Sequence, residues 1–146
     1  MWRRRGALYW INPLLVNLYE EQGKDTPTSM YRMYFSSDLE RRMSFITLQS
    51  SLYYWYWMVY KNGRNIDWWE IEPFPFPDEE TLEANREDII EVSEELWEAM
   101  EQRFVGKART VIENAAELKP IGDRVDDLIG PMYGLDDDEI EYMKNF

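Results

Sequence analysis

The stretch SSDLERRMSFITLQSSLYYWYWMVY, residues 36–60, decides how the chain is read. Ser36-Ser37-Asp38 supplies side chains that cap helix N-termini. With Ser37 as the cap, Glu40 falls at the third helical position and completes a capping box. Phe45, Leu48, Leu52, Trp55 and Val59 then recur at spacings of three and four, which is one apolar stripe of a helix. The spacing predicts a single helix from Asp38 to Tyr60. It ends at Asn62-Gly63, a pair suited to a left-handed C-terminal turn. Past Leu52 its whole circumference is apolar, so this half is expected to be buried on all sides.

Upstream, Met30–Phe35 alternates, with Met30, Arg32 and Tyr34 on one face and Tyr31, Met33 and Phe35 on the other. That period of two predicts a strand. Leu8–Ile11 reads as a second strand ending at Asn12-Pro13. Leu14, Leu15, Leu18 and Tyr19 have helical spacing up to Glu21, and Gly23 stops the run. Downstream, Arg64–Glu72 is short and extended or turn-like, and Pro73, Pro75 and Pro77 forbid regular structure.

A second long helix starts at Asp78 or Thr81 and reaches Phe104. Its stripe is Leu82, Ile89, Val92, Leu96, Met100 and Phe104. A shorter helical stretch covers Arg109–Leu118. Ile121–Met132 is a further helix closed by Gly134. Asp136 caps the last helix, Glu139 closes its capping box, and Leu135 is placed to staple against Ile140. The expected fold class is α+β: a small N-terminal sheet packed on the long aromatic helix, followed by a helical C-terminal region. The 146 residues suit one domain, with a mixed strand and helix part over 1–77 and a helical, acidic part over 78–146.

The composition excludes much chemistry. Cys and His are both absent. That removes disulfides, thiolate nucleophiles, Ser-His-Asp triads and Cys/His zinc sites. Catalysis would have to use carboxylates, Lys, Tyr or Ser, and no arrangement of those stands out, so the chain is expected to be non-catalytic. There is no glycine-rich turn for a methyl donor and no P-loop. Asn12-Pro13 is followed by Leu14 and Leu15, which breaks the Asn-Pro-Pro-aromatic motif of adenine methylases. Asp136–Glu139 lacks calcium-loop spacing and reads as a helix start, so no metal is expected. No signal peptide and no apolar run of membrane-spanning length is visible. The cytoplasm is the expected compartment.

The net charge of −13 is unevenly spread. Residues 1–64 carry nine bases and five acids, a net of +4; residues 65–146 carry seven bases and 24 acids, a net of −17. A basic, aromatic half suggests a polyanion partner; chance and helix-surface charge form the plainer alternative. Abundant acids, scarce Lys and absent Cys are typical of halophile proteins, beside the simpler reading of an acidic mesophile. The loop Lys61-Asn62-Gly63-Arg64-Asn65 combines two cations and two amides directly after a rigid helix. Arg and Asn match guanine and adenine edges, and Lys suits phosphates. Lys61, Asn62, Arg64, Asn65 and the N-terminal Arg3, Arg4 and Arg5 are therefore the candidate nucleic-acid contacts. The run Tyr53–Trp57 is read as core rather than as a base-stacking platform. A small-molecule pocket lined by Trp and Tyr has only the aromatic count behind it.

The segment MYRMYFSSDLERRMSFITLQSSLYYWYWMVYKNGRNIDWWEIEPFPFP resembles N6-adenine DNA methyltransferases of restriction–modification systems. There a strand precedes a helix with an Asn/Gln-Ser-Ser-Leu-aromatic-Tyr-Trp run, a Gly-containing turn and a Phe-Pro exit. The tail IGDRVDDLIGPMYGLDDDEIEYMKNF is similar to the ending of the same proteins: Ile-x-x-x-Val-Asp, then Tyr-Gly-Leu and an acidic-capped helix. The family is the type IIG-like methylase/endonucleases with a TaqI-like specificity domain, and the likeness covers residues 29–146.

The resemblance implies a target-recognition region that closes over double-stranded DNA on behalf of a methyltransferase catalytic domain or subunit. S-adenosylmethionine would be bound only in that separate domain. The chain would then be a C-terminal piece: an expressed fragment, a separate subunit or a truncated gene. Residues 1–29 match nothing in the family, and its turn often has an acidic residue where this chain reads Lys61-Asn62-Gly63-Arg64. The alternative function is a protein-interaction or oligomerisation module that docks onto a methylase subunit.

Overall fold

A computed structural model describes residues 2–3, 13–21, 23, 25–26, 30–60, 71–102 and 115–146. Helices dominate them: α1 (Leu18–Glu21), α2 (Asp38–Gln49), α3 (Ser51–Tyr60), α4 (Glu79–Ala84), α5 (Arg86–Gln102), a short 3-10 turn (Ala115–Leu118), α6 (Lys119–Met132) and α7 (Asp137–Lys144).

The expected α+β fold is overturned. The only extended pairing among the described residues is a two-residue antiparallel ladder, β1 (Trp2–Arg3) against β2 (Met30–Tyr31). The alternation over 30–35 nonetheless has a physical cause. Tyr31, Met33 and Phe35 are half-buried, whereas Arg32 is exposed and Tyr34 is 85% exposed. Met33 and Phe35 line a cleft with Leu14, Phe45 and Leu48. Beyond Tyr31 the segment lies as a strap over α2, so it alternates like a strand with no described strand beside it. The strand expected at Leu8–Ile11 lies outside the described residues. The N-terminal helix is shorter than its spacing suggested, with Leu14 and Leu15 buried ahead of it.

The long helix expected over 38–60 is two helices. The capping box forms as predicted, with Ser37 Oγ accepting from Glu40 N–H and the Glu40 carboxylate accepting from Ser37 N–H. At Ser50 the backbone turns extended (φ −75°, ψ 155°) and a new helix starts. The acidic helix also divides: Asp78 caps α4, and the chain breaks at Asn85 before α5. α5 buries Ile89, Val92, Leu96 and Met100 as the stripe predicted, while Phe104 and most of the Arg109–Leu118 stretch lie outside the described residues.

The centre of the fold is aliphatic and lies between α2, α5 and α6. Met43, Ile46, Ile89, Val125 and Ile129 are fully or almost fully enclosed there. Two arginines tie α5 to its neighbours. Arg42 of α2 bonds Asp38 and Ser93 Oγ and pairs with Glu94 at 3.1 Å. Arg124 of α6 pairs with Glu91 and Glu95.

α6 ends in a left-handed turn: Gly134 (φ 75°) follows the helix, Leu135 N–H bonds Gly130 O, and Gly134 N–H bonds Pro131 O. The chain then enters α7 through the Asp136/Glu139 capping box that the sequence predicted. Ile140 of α7 packs directly on Gly130, where a Cβ would come within 2.5 Å of its Cγ1.

Candidate functional site

Lys61, Asn62, Arg64, Asn65, Arg4 and Arg5 lie outside the described residues, and of Arg3 only the backbone in β1 is described. The helix that leads into Lys61 is described in full.

α3 is held at its base from two directions. Ser50 Oγ accepts Tyr53 N–H (3.1 Å) and donates to Thr47 O (2.6 Å), so the break is capped locally. Asp126 of α6 reaches across and accepts the Ser51 backbone N–H at 2.8 Å. Helix N-termini leave such N–H groups without intrahelical partners, and they carry partial positive charge. A carboxylate there satisfies both conditions. Asp126 is 4% exposed and is the only buried charged residue among those described. Burial pushes its carboxyl above the usual range and Asp123 adds to this, while the hydrogen bonds from Ser51 and the charge of Lys144 pull it back.

Further along α3, Tyr53 and Trp57 are buried against Ile71 and Phe74. Tyr53 meets Phe74 edge-on at 5.1 Å and Tyr56 meets it at 5.0 Å. The expectation that this half is buried all round is corrected: only Tyr53 and Trp57 are buried, the striped Leu52 and Trp55 are half-buried like Tyr54 and Tyr56, Met58 and Val59 are exposed, and Tyr60 is 64% exposed. An apolar circumference guarantees burial only where neighbours exist on every side; Ile71 and Phe74 cover Tyr53 and Trp57, and α7 lies on the flank of Tyr54. On that flank Tyr54 lies 6.4 Å from Phe146, which lies 6.1 Å from Tyr142, so exposed aromatic surface runs from α3 onto α7.

The aromatic cluster also contains unmet polar atoms. Thr47 Oγ1, Tyr133 Oη and Trp57 Nε1 are buried without a hydrogen-bond partner. Thr47 and Tyr133 are neighbours, yet their hydroxyls do not reach bonding geometry; burial pushes the phenol's pKa up and Thr47 offsets only part of that.

Every described cationic side chain is already paired with a carboxylate. Arg32 is paired with Glu20, Arg41 and Arg42 with Asp38, Arg86 with Glu83, Lys119 with Asp123, Arg124 with Glu91 and Glu95, and Lys144 with Asp127. Arg42 and then Arg41 hold Asp38 below the usual carboxylate range. Phosphate binding by these cations would have to break pairs already made.

The cleft beneath the strap holds about 60 Å³, is walled mainly by Pro13, Leu14, Met33, Phe35 and Phe45, and has Arg41 at its edge. Ligand pockets are several times larger, and neither Trp nor Tyr lines this one, which leaves the small-molecule reading without support there. Among the described residues no group of three or more carboxylates is gathered to hold a metal ion, and no helix is long and apolar enough to cross a membrane.

Comparisons with known family models, curated proteins and solved structures find no match. Sequence reasoning missed Asp126 as a structural partner of the aromatic helix. A signal was present: it sits three and four residues before Ile129 and Gly130, so an acid occupies the apolar face of α6.

Proposed function

We propose that this chain is the target-recognition region of an N6-adenine DNA methyltransferase of a restriction–modification system, non-catalytic by itself. The observation that carries this reading is the stem: α3 is capped from Asp126, anchored by Tyr53 and Trp57, and runs directly into Lys61-Asn62-Gly63-Arg64-Asn65. Binding residues are commonly carried at the end of a rigid element. The pairing of all described cations leaves phosphate contact to bases elsewhere in the chain, among them Arg3–Arg5, Lys61 and Arg64. S-adenosylmethionine would come with the catalytic partner, and the cytoplasm, where chromosomal DNA is methylated in prokaryotes, would be the compartment.

The test is a fluorescence-anisotropy titration of duplex DNA, from low to molar KCl, with a methylase domain in the presence and absence of this chain. The chain should strengthen binding by the methylase domain, and Lys61→Ala with Arg64→Ala should remove that gain. No gain at any salt concentration would overturn the reading.

A second reading, docking onto a methylase subunit, is favoured by the exposed Tyr142 and Phe146, which continue from half-buried Tyr54 of α3. Apolar surface of this kind marks interaction sites when it is contiguous. Under this reading the two proteins would associate without any effect on DNA, and Lys61→Ala with Arg64→Ala would leave association unchanged.

A further inference from the structure

α3 receives one cap more than its local sequence can provide. Ser50 serves the first turn through Tyr53 N–H, as an ordinary N-cap does. The Ser51 N–H, at the first helical position, is served by a residue 75 positions away in the chain. Water would ordinarily satisfy such a donor at a half-exposed position. Here a carboxyl has been taken out of water to do it, which is costly unless the group is well bonded. The charged groups around it are Asp123 on its own helix and Lys144 of α7, the latter already paired with Asp127.

The backbone at Ser50 is the joint between α2 and α3, and its extended ψ breaks the helical hydrogen-bond ladder there. Buried Tyr53 and Trp57 hold one side of α3, while its last turn is exposed. The Ser51 N–H donates to Asp126 at the α3 side of this joint, and that bond refers the base of α3 to α6, a helix of the aliphatic centre.

We infer that Asp126 is a positioning residue: it fixes the direction of α3 across the Ser50 joint, and so sets where the chain after Tyr60 is delivered. For DNA recognition this inference rests on the function proposed above, but the direction of α3 can be measured without DNA. A helix of ten residues is about 15 Å long, so a swing of about 20° at its base moves its tip by about 5 Å.

The chain has no cysteine, so paired spin labels can be introduced at chosen positions in the full-length protein. Labels at Tyr60→Cys and Glu87→Cys report α3 against α5. Labels at Pro131→Cys and Glu87→Cys report α6 against α5. In Asp126→Ala the first distance should shift or broaden by about 5 Å, while the second stays as in the parent. Asp126→Asn keeps an acceptor oxygen and should restore the parent distance.

If Asp126→Ala does not fold, Ser51→Pro removes the donor instead. Proline is tolerated at the first helical position, and Ser50 already has the extended backbone that a residue before proline prefers. An unchanged Tyr60–Glu87 distance in the folded variant would overturn the inference. So would equal broadening of both distances, since that is general loosening. A shifted distance with no effect of the chain on DNA binding would keep the positioning role and reject the DNA reading.

Discussion

The aliphatic centre and the aromatic end of this molecule share helices but are finished differently. Between α2, α5 and α6 the buried side chains are Met, Ile, Leu and Val apart from Phe45, which meets Trp97 edge-on; the enclosed positions are close to fully buried, and arginine–carboxylate pairs cross the seams. Under α3 Tyr, Trp and Phe join Leu48 and Ile71, three polar atoms are buried without partners, and the last helical turn is exposed. Aliphatic side chains fill space without polar obligations. Tyr and Trp add area but bring an O–H or N–H that must be satisfied. The comparison teaches that stability and unfinished surface reside in different halves, and that the unfinished half is the one adjoining Lys61–Asn65.

The largest effect should come from emptying the centre. Ile129→Ala should cost about 2–5 kcal/mol in urea unfolding; a loss under about 1 kcal/mol would remove the aliphatic centre as the main support. Overfilling its edge comes next. Gly130→Ala gains about 1 kcal/mol of helix propensity but drives a methyl into Ile140, and overpacking costs about 1–3 kcal/mol. The net change should be destabilising, and Ile140→Ala should relieve it in a double-mutant cycle. Removing the cap of α7, which flanks the aromatic end, should cost about 1 kcal/mol in Asp136→Ala.

A smaller effect depends on pH. Folding raises the Asp126 carboxyl above its ordinary value of 3.8. Between that value and the raised one the folded chain keeps a proton that the unfolded chain has released. Its contribution to stability is full below 3.8 and is lost as pH rises through the raised value. Asp126→Asn lacks that dependence, so its stability relative to the parent should improve from about pH 3.5 to 7. A constant difference across paired melts would contradict the buried-acid assignment. The smallest effect belongs to the bare surface: Tyr142→Ser should change stability by no more than about 0.5 kcal/mol, while weakening association with a methylase subunit if the second functional reading holds.

Local chemistry was legible in the sequence, and distant chemistry was not. Ser37 with Glu40, Asp136 with Glu139, Asp78, and the stripe from Ile89 to Met100 each act within a few residues of themselves, and each is found where the pattern put it, whereas Leu82 falls on a separate helix ahead of Asn85. The break at Ser50 was missed because an apolar helix pattern runs through it without losing phase, and its second cap comes from α6. The strand expected over 30–35 forms only at Met30–Tyr31, because period two reports alternate burial, whatever lies beneath. The exposed end of α3 was misread because hydrophobicity states a preference and cannot supply a neighbour. Of the candidate site, the stem was legible as a helix leading to a polar stretch, while the side chains of the candidate contact residues lie outside the described residues.

Arg124 grips Glu91 and Glu95, two carboxylates one helical turn apart on α5. A single ion pair between neighbouring helices resists separation but tolerates sliding. Two set a full turn apart work as a vernier. Displacing α6 along α5 by one turn, about 5.4 Å, would keep at most one of them. The pairs are exposed and individually weak, so what they supply is register more than strength, and register is what lets a residue on α6 meet a single N–H on α3.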